Sequence, residues 1–381
     1  MTLNAITNYD NINHDNTTHD NTIYKRTNLV SDIPGVANFT DPNLVNPWGI
    51  SLSPALLHQQ SQAHSCSDNR DGLWVVSDNG TGLATIYDSR GMVALGVKIT
   101  IPSPLLGGTS APTGNIFVIG DGFSIPDSQL KASILFATED GTVAAYNSKY
   151  NIDHAVLVIN NSATGAVYKG LTVIGQHLYL ANFNAGLVEV YNNNYKLIKT
   201  FTDVTIPPVT IGGSNYAPFN VKNINNKLYV SFALQDAEKH DDVAGPGHGF
   251  VSVFSADGTF LKRLISHGPL NSPWALVTVP NSGNNDNDND NHSCLCPGIP
   301  IDRKGEILLV GNFGDGAINM FSLEHGTFLG PLETKFGPAV VQGLWGLAFE
   351  RRTLFFAAGI VQESHGLFGR FDPISPKKFH C

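Results

Sequence analysis

Six copies of one strand-rich unit fill the chain from residue 46 to residue 372, and this repetition limits the fold more than any other feature. Each copy opens on a short apolar strand: NPWGISL (46–52), PTGNIFV (112–118), YKGLTVI (168–174), APFNVKN (217–223), SPWALVT (272–278) and LWGLAFE (344–350). A strand, a polar turn and another strand follow, as in LWVVSDNGTGLATIYD (73–88) and ILLVGNFGDGAINMFS (307–322). The apolar segments are bounded by Gly, Asn and Asp and lack a 3.6-residue period, so they read as strands joined by tight turns. Turns such as Glu139-Asp140-Gly141 supply the positive φ that short hairpins demand. No amphipathic helix joins the strands, which excludes a parallel α/β sheet, and no polar cap marks the ends of a solenoid. The expected architecture is all-β: a six-bladed β-propeller with four-stranded antiparallel blades, closed radially so that no long sheet edge is exposed.

The flanks divide the chain into a polar tail (1–26), the propeller (27–373) and a C-terminal tail (374–381). Within 27–45 a strand is expected to join or clamp the last blade. The Asn/Asp/His-rich start cannot bury a core and reads as disordered. A second such tract, 281–292, alternates Asp286, Asp288 and Asp290 as a calcium loop does, but lacks the Gly and distal Glu of an EF-hand. The four cysteines (Cys66, Cys294, Cys296 and Cys381) form no zinc-finger spacing; a bridge from Cys66 to Cys294 or Cys296 is the alternative to free thiols. Charged residues are only 14% of the chain, against about 25% in ordinary globular proteins. The net charge of −9 offers no basic footprint for nucleic acid. Neither a secretory signal nor an apolar run of about 20 residues is visible, so membrane insertion is not expected and the compartment is left open.

NLVSDIPG (28–35), NPWGI, YKGLTV, LYLANF (178–183), APFNV and LWGLAFE resemble a family of largely uncharacterised bacterial six-bladed β-propeller proteins. Their architecture is similar to NHL-repeat proteins and, more distantly, to gluconolactonase (SMP-30-like) and strictosidine synthase-like propellers. The resemblance spans residues 27–373; it implies the propeller fold and frequent export, and it carries no settled activity. The SMP-30-like enzymes hold a divalent metal with a Glu and amide ligands; here Asn46 stands where that Glu belongs, and Asn220 and Asn312 are the remaining amide candidates. Strictosidine synthase-type chemistry would need a channel Glu, for which Glu139 and Glu363 are the turn candidates.

Equivalent positions of a radial repeat form rings. The first ring is Trp48, Thr113, Lys169, Phe219, Trp274 and Trp345, either core packing between blades or an aromatic channel mouth. Lys169 among aromatics is a candidate for a depressed pKa and a base or nucleophile role, or a paired structural lysine. The second ring, at the turns, gathers oxygen donors that include Asp78, Asn79, Glu139, Asp140, Asn182, Asn184, Gln235, Asp236, Asn312, Asp315, Gln362 and Glu363; calcium or another divalent cation would suit them, and turn geometry alone explains them too. His240, His248 and His365 are candidates for a zinc or acid/base site. No Walker A, Rossmann, G-x-S-x-G or HExxH motif is present. The leading expectation is a non-catalytic binding or scaffold propeller that takes a small ligand, glycan or protein on one channel face through Trp48, Lys169, Phe219, Trp274, Trp345, Asn182 and Asp315. The alternatives are a metal-dependent hydrolase or lactonase and a structural component of a cell surface or virus-like particle.

Overall fold

The structure is a computed structural model and describes residues 23–54, 72–118, 122–209, 215–279 and 306–374. The four cysteines and the tract 281–292 lie outside the described residues, as do residues 1–22 of the expected tail. Ile23–Arg26, read from sequence as tail, are instead the first turns of pleat in a nine-residue strand, Ile23–Ser31. At the other end, strand structure runs one residue past the expected boundary, to Ile374.

The chain folds as an all-β propeller. Six inner strands, Pro47–Leu52, Pro112–Phe117, Tyr168–Ile174, Tyr216–Ile224, Pro273–Thr278 and Leu344–Glu350, match the six repeated openings. Five of them begin four-stranded antiparallel sheets, numbered here first to fifth blade in chain order. The third blade runs Tyr168–Ile174, His177–Asn182, Leu187–Asn192 and Leu197–Phe201. Burial falls outward across it: Leu178, Tyr179, Leu180 and Ala181 of its second strand are fully buried, while four of five residues in the outermost strand are exposed. Strands sandwiched between neighbouring sheets are apolar on both faces, which is why the inner two strands of each unit read as continuous apolar runs.

The four-stranded blades therefore number five, not the six expected. The sixth sheet has seven strands. Leu344–Glu350, Thr353–Ile360 and His365–Ile374 begin it, and Ile23–Ser31 adds an antiparallel partner, in register from Ile23 opposite Ile374 to Ser31 opposite Leu367. Three two-residue strands, Phe39–Thr40, Glu333–Thr334 and Gly337–Pro338, enlarge it further. Apolar clusters glue each sheet to the next; Leu135 and Val143 of the second blade meet Leu178 and Leu180 of the third. The inner strand of each sheet packs on that of its neighbour, and Leu344–Glu350 packs on Pro47–Leu52, so the circle closes.

That close approach explains the glycine that follows the aromatic step. A Cβ on Gly49 would lie 2.7 Å from the Thr113 carbonyl oxygen, and one on Gly346 2.5 Å from that of Trp48. One residue before the inner strand, Asn46 (φ 47°), Ser272 (φ 48°) and Gly343 (φ 67°) share the left-handed region, a conformation that Asn and Gly tolerate best.

Candidate functional site

Pairing of Pro47 with Asp78, Pro112 with Thr138 and Tyr168 with Asn182 sets the starts of the inner strands beside the ends of the second strands. The polar turns and the first ring thus share one end of the channel, its front mouth. Trp48 stacks on Trp345 with centroids 3.4 Å apart, and Trp274 meets both edge-on at 6.1 and 5.7 Å. Phe313 stacks on the other face of Trp345 at 4.0 Å and Phe219 tilts against it at 5.7 Å. None of Trp48, Phe219, Trp274 and Trp345 is more than 5% exposed. The first ring is therefore an aromatic plug, and a ligand arriving from the front meets ring edges and polar groups rather than open ring faces.

Lys169 stands in this plug, 1% exposed. Its ammonium lies 5.1 Å from the Trp48 ring centre and 5.8 Å from that of Phe183. It donates to Glu139 Oε1 and, over 3.1 Å, to Asp241 Oδ1. Burial alone would push this group down, but the Glu139 and Asp241 carboxylates outweigh it and hold the ammonium above its ordinary value. Of the two readings of Lys169, the geometry favours the paired lysine over a depressed base or nucleophile: Lys169 is a clamped cation.

Around it the turns bring more groups. Asn79 Nδ2 donates to Glu139 Oε2 over 2.8 Å, and Asn46 Nδ2 to Asn79 Oδ1 over 3.3 Å. His240 lies 3.1 Å from Asp241 Oδ1. That hydrogen bond holds the Asp241 carboxyl below the usual range and the imidazole above its own. Two further carboxyls feel the same charges: burial pushes Asp242 up to about 6 and Glu363 up to about 7. Glu363 accepts from Trp345 Nε1 over 3.2 Å, while Asp242 Oδ2 and Asn46 Oδ1 are buried without a hydrogen-bond partner among the described residues. Ligating atoms of Glu139, His240 and Asp241 lie within 4.8 Å of one another.

The other candidates are dispersed. Asn220 Nδ2 donates to the Trp274 carbonyl over 2.8 Å, and Asn220 Oδ1 accepts from Val221 N. Asn312 Nδ2 donates to the Pro269 carbonyl over 2.8 Å. The structure gives Asn46, Asn220 and Asn312 three separate sets of partners. Asp315 is exposed and caps its own turn through Ala317 N; Asp140 is half-buried and accepts from Ser110 Oγ and Ala111 N, just before the inner strand of its blade. His248 and His365 go to the Val243 carbonyl and to Asp32, apart from His240. Asn182 faces a groove of about 610 Å³ beside the third blade, where it donates to Glu189 Oε1 over 2.7 Å. Tyr168 and Tyr191 donate to the other oxygen of Glu189. This self-satisfied network escaped sequence reading because its members lie in three different strands.

Comparison with known proteins yields viral relatives. An uncharacterized protein of Acanthamoeba polyphaga mimivirus is 34% identical over 358 residues, 91% of this chain and 79% of the relative. A second from the same virus is 32% identical over 363 residues, 91% of this chain and 85% of the relative. No protein-family profile matches the chain. Among solved structures, the Dos1 propeller aligns with 87% of this chain and 69% of its own at 9% identity and a TM-score of 0.44, a likeness too loose to bear on function. These relatives are viral where the sequence suggested a bacterial family.

Proposed function

The chain belongs to the family of these mimivirus proteins, and from that premise we propose that it is a non-catalytic binding propeller whose front mouth receives a positively charged group, an amine or guanidinium of a small ligand or of a partner's side chain. In this reading the seven-stranded sheet takes the place of a sixth blade and completes the ring around the mouth. One observation carries it: Lys169 is already shared by Glu139 and Asp241, whereas Asp242 and Glu363 form no ion pair among the described residues, and burial raises both so that they take up protons readily as pH falls below neutral. An arriving cation would take those protons' place, and a charge-assisted hydrogen bond to a carboxylate is among the stronger polar contacts available. The buried aromatic faces argue against stacking of a sugar ring. For a divalent ion the set Glu139, His240 and Asp241 converges, but the Lys169 ammonium lies against two of the three ligands. The set does not fit the ion, and no hydrolytic step is drawn from it.

Titration calorimetry with agmatine, set against a neutral oligosaccharide, tests the reading. Saturable agmatine binding is expected, tightening from pH 5.5 to 8 as Asp242 and Glu363 lose protons, and weakened about tenfold, ~1.4 kcal/mol, by Glu363→Gln. Binding of the oligosaccharide alone, or a stoichiometric divalent ion whose removal by chelator lowers the melting temperature, would replace it.

A further inference from the structure

Behind the plug, the six inner strands enclose an axial cavity of about 40 Å³, walled by Ile50, Leu171, Leu276 and Leu347 with Asn115, Asn220 and Lys222. Lys222 is the one titratable side chain on that wall. Among the described residues it makes no hydrogen bond and no ion pair. Lys222 is half-buried there, and an ammonium partly withdrawn from water among leucines is costly unless a counter-charge accompanies it. Burial accordingly pushes it below the ordinary lysine value.

The wall cannot supply that counter-charge. Asn115 Nδ2 donates to the Gly49 carbonyl and to Ser77 Oγ, each over 2.9 Å. Asn115 Oδ1 accepts from Ser51 Oγ, and Asn220 Oδ1 from Val221 N. Each inner strand pairs with a single neighbour in its sheet, so its channel-side edge has no ladder partner. Side chains from other inner strands take up some of those edge carbonyls: Thr113 Oγ1 on Tyr168 O (2.8 Å), Trp274 Nε1 on Lys169 O (3.2 Å) and Asn220 Nδ2 on Trp274 O (2.8 Å). The side-chain acceptors of the wall are engaged, none of them is a carboxylate, and the lysine's three N–H groups have no partner among the described residues. A single water needs about 10–15 Å³ of such space, so the cavity has room for an ion of a few heavy atoms.

We propose that the axial cavity is a small-anion site, in which Lys222 holds one monovalent inorganic anion of chloride to nitrate size as its counter-charge. The site is independent of the front mouth and stands whether or not a cation binds there.

Melting temperatures of the full chain in sodium bromide or nitrate, against sodium gluconate at equal ionic strength, read it out. A saturable rise of about 2–4 °C is expected with the small anions, shrinking at alkaline pH and absent in Lys222→Met. A crystal of the unaltered protein soaked in bromide should show an anomalous peak beside the Lys222 ammonium, a readout that needs no variant to fold. An unchanged anion response in Lys222→Met would overturn the proposal. So would a bromide crystal with no peak in the cavity, since a carboxylate or water would then occupy the anion's place.

Discussion

Lys169 and Lys222 lie on the inner strands of adjacent blades, in contact with the same axis, yet the chain treats them oppositely. Lys169 is given two carboxylates and two ring faces. Lys222 is given leucines. One ammonium is held above its ordinary value, the other below it. Depth in the channel does not set a lysine's character; the turns that reach over it do. The front mouth collects long turns such as 235–249, which carry Asp241 and His240 inward, whereas the wall behind the plug is built from strand residues alone.

The comparison can be broken at its boundary first. Trp345→Ala removes the ring that separates the two halves and that stacks on both Trp48 and Phe313. A loss of about 3–5 kcal/mol is expected in urea unfolding. Next in size is Lys169→Met, which strands Glu139 beside a buried plug. Leaving such a charge uncompensated costs about 3 kcal/mol, the lower end of the range because Asp241 is 65% exposed and water screens it. Lys222→Met should move stability the other way, by up to about 1 kcal/mol in gluconate buffer, because no partner is stranded and a hydrophobic wall is completed. Two losses of the same sign in these lysine variants would show that Lys222 has a partner after all. The smallest effect is a slope. Glu363 is raised to about 7 and Asp242 to about 6, so the folded chain keeps protons that the unfolded chain releases near pH 4. Their contribution to stability is full below that pH and fades as pH rises through about 6 to 7. Urea midpoints at pH 5 and 8 should therefore differ less in Glu363→Gln than in the unaltered chain.

The blade pattern was legible because it repeats: six openings of the form Pro or aromatic, then Gly or a small residue, mark six inner strands. The seven strands of the last sheet were not, since pairs such as Glu333–Thr334 and Gly337–Pro338 are too short to show any period. Lys169 stood out as the odd member of an aromatic ring, Glu139 stood out in its turn, and His240 marked the turn that carries Asp241. Their meeting was illegible, because the three come from separate units, 30 and 72 residues from the lysine, and only radial closure joins them. Lys222 gave no signal at all: in APFNVKN it looks like any polar residue leaving a strand, and its exposure to the axis follows from the packing of six strands at once. The aromatic ring was visible as a ring, but whether it lined or filled the channel depended on the 3.4 Å stacking of Trp48 on Trp345.

The pairing of Ile23–Ser31 with His365–Ile374 sets a clock as well as a shape. During synthesis, Ile23–Ser31 is made more than three hundred residues before His365–Ile374 and must wait for it. Each four-stranded blade can zip as soon as its own hairpins are made, but the circle stays open, with Leu344–Glu350 and Pro47–Leu52 apart, until the strands from Leu344 to Ile374 have been made. Closure is then a single late event joining residues more than three hundred positions apart, the kind of contact that slows folding. The same seam brings Ile23 opposite Ile374, so the ends could be tethered and the chain reopened at a hairpin turn elsewhere, and a protein permuted in that way would acquire a different last step.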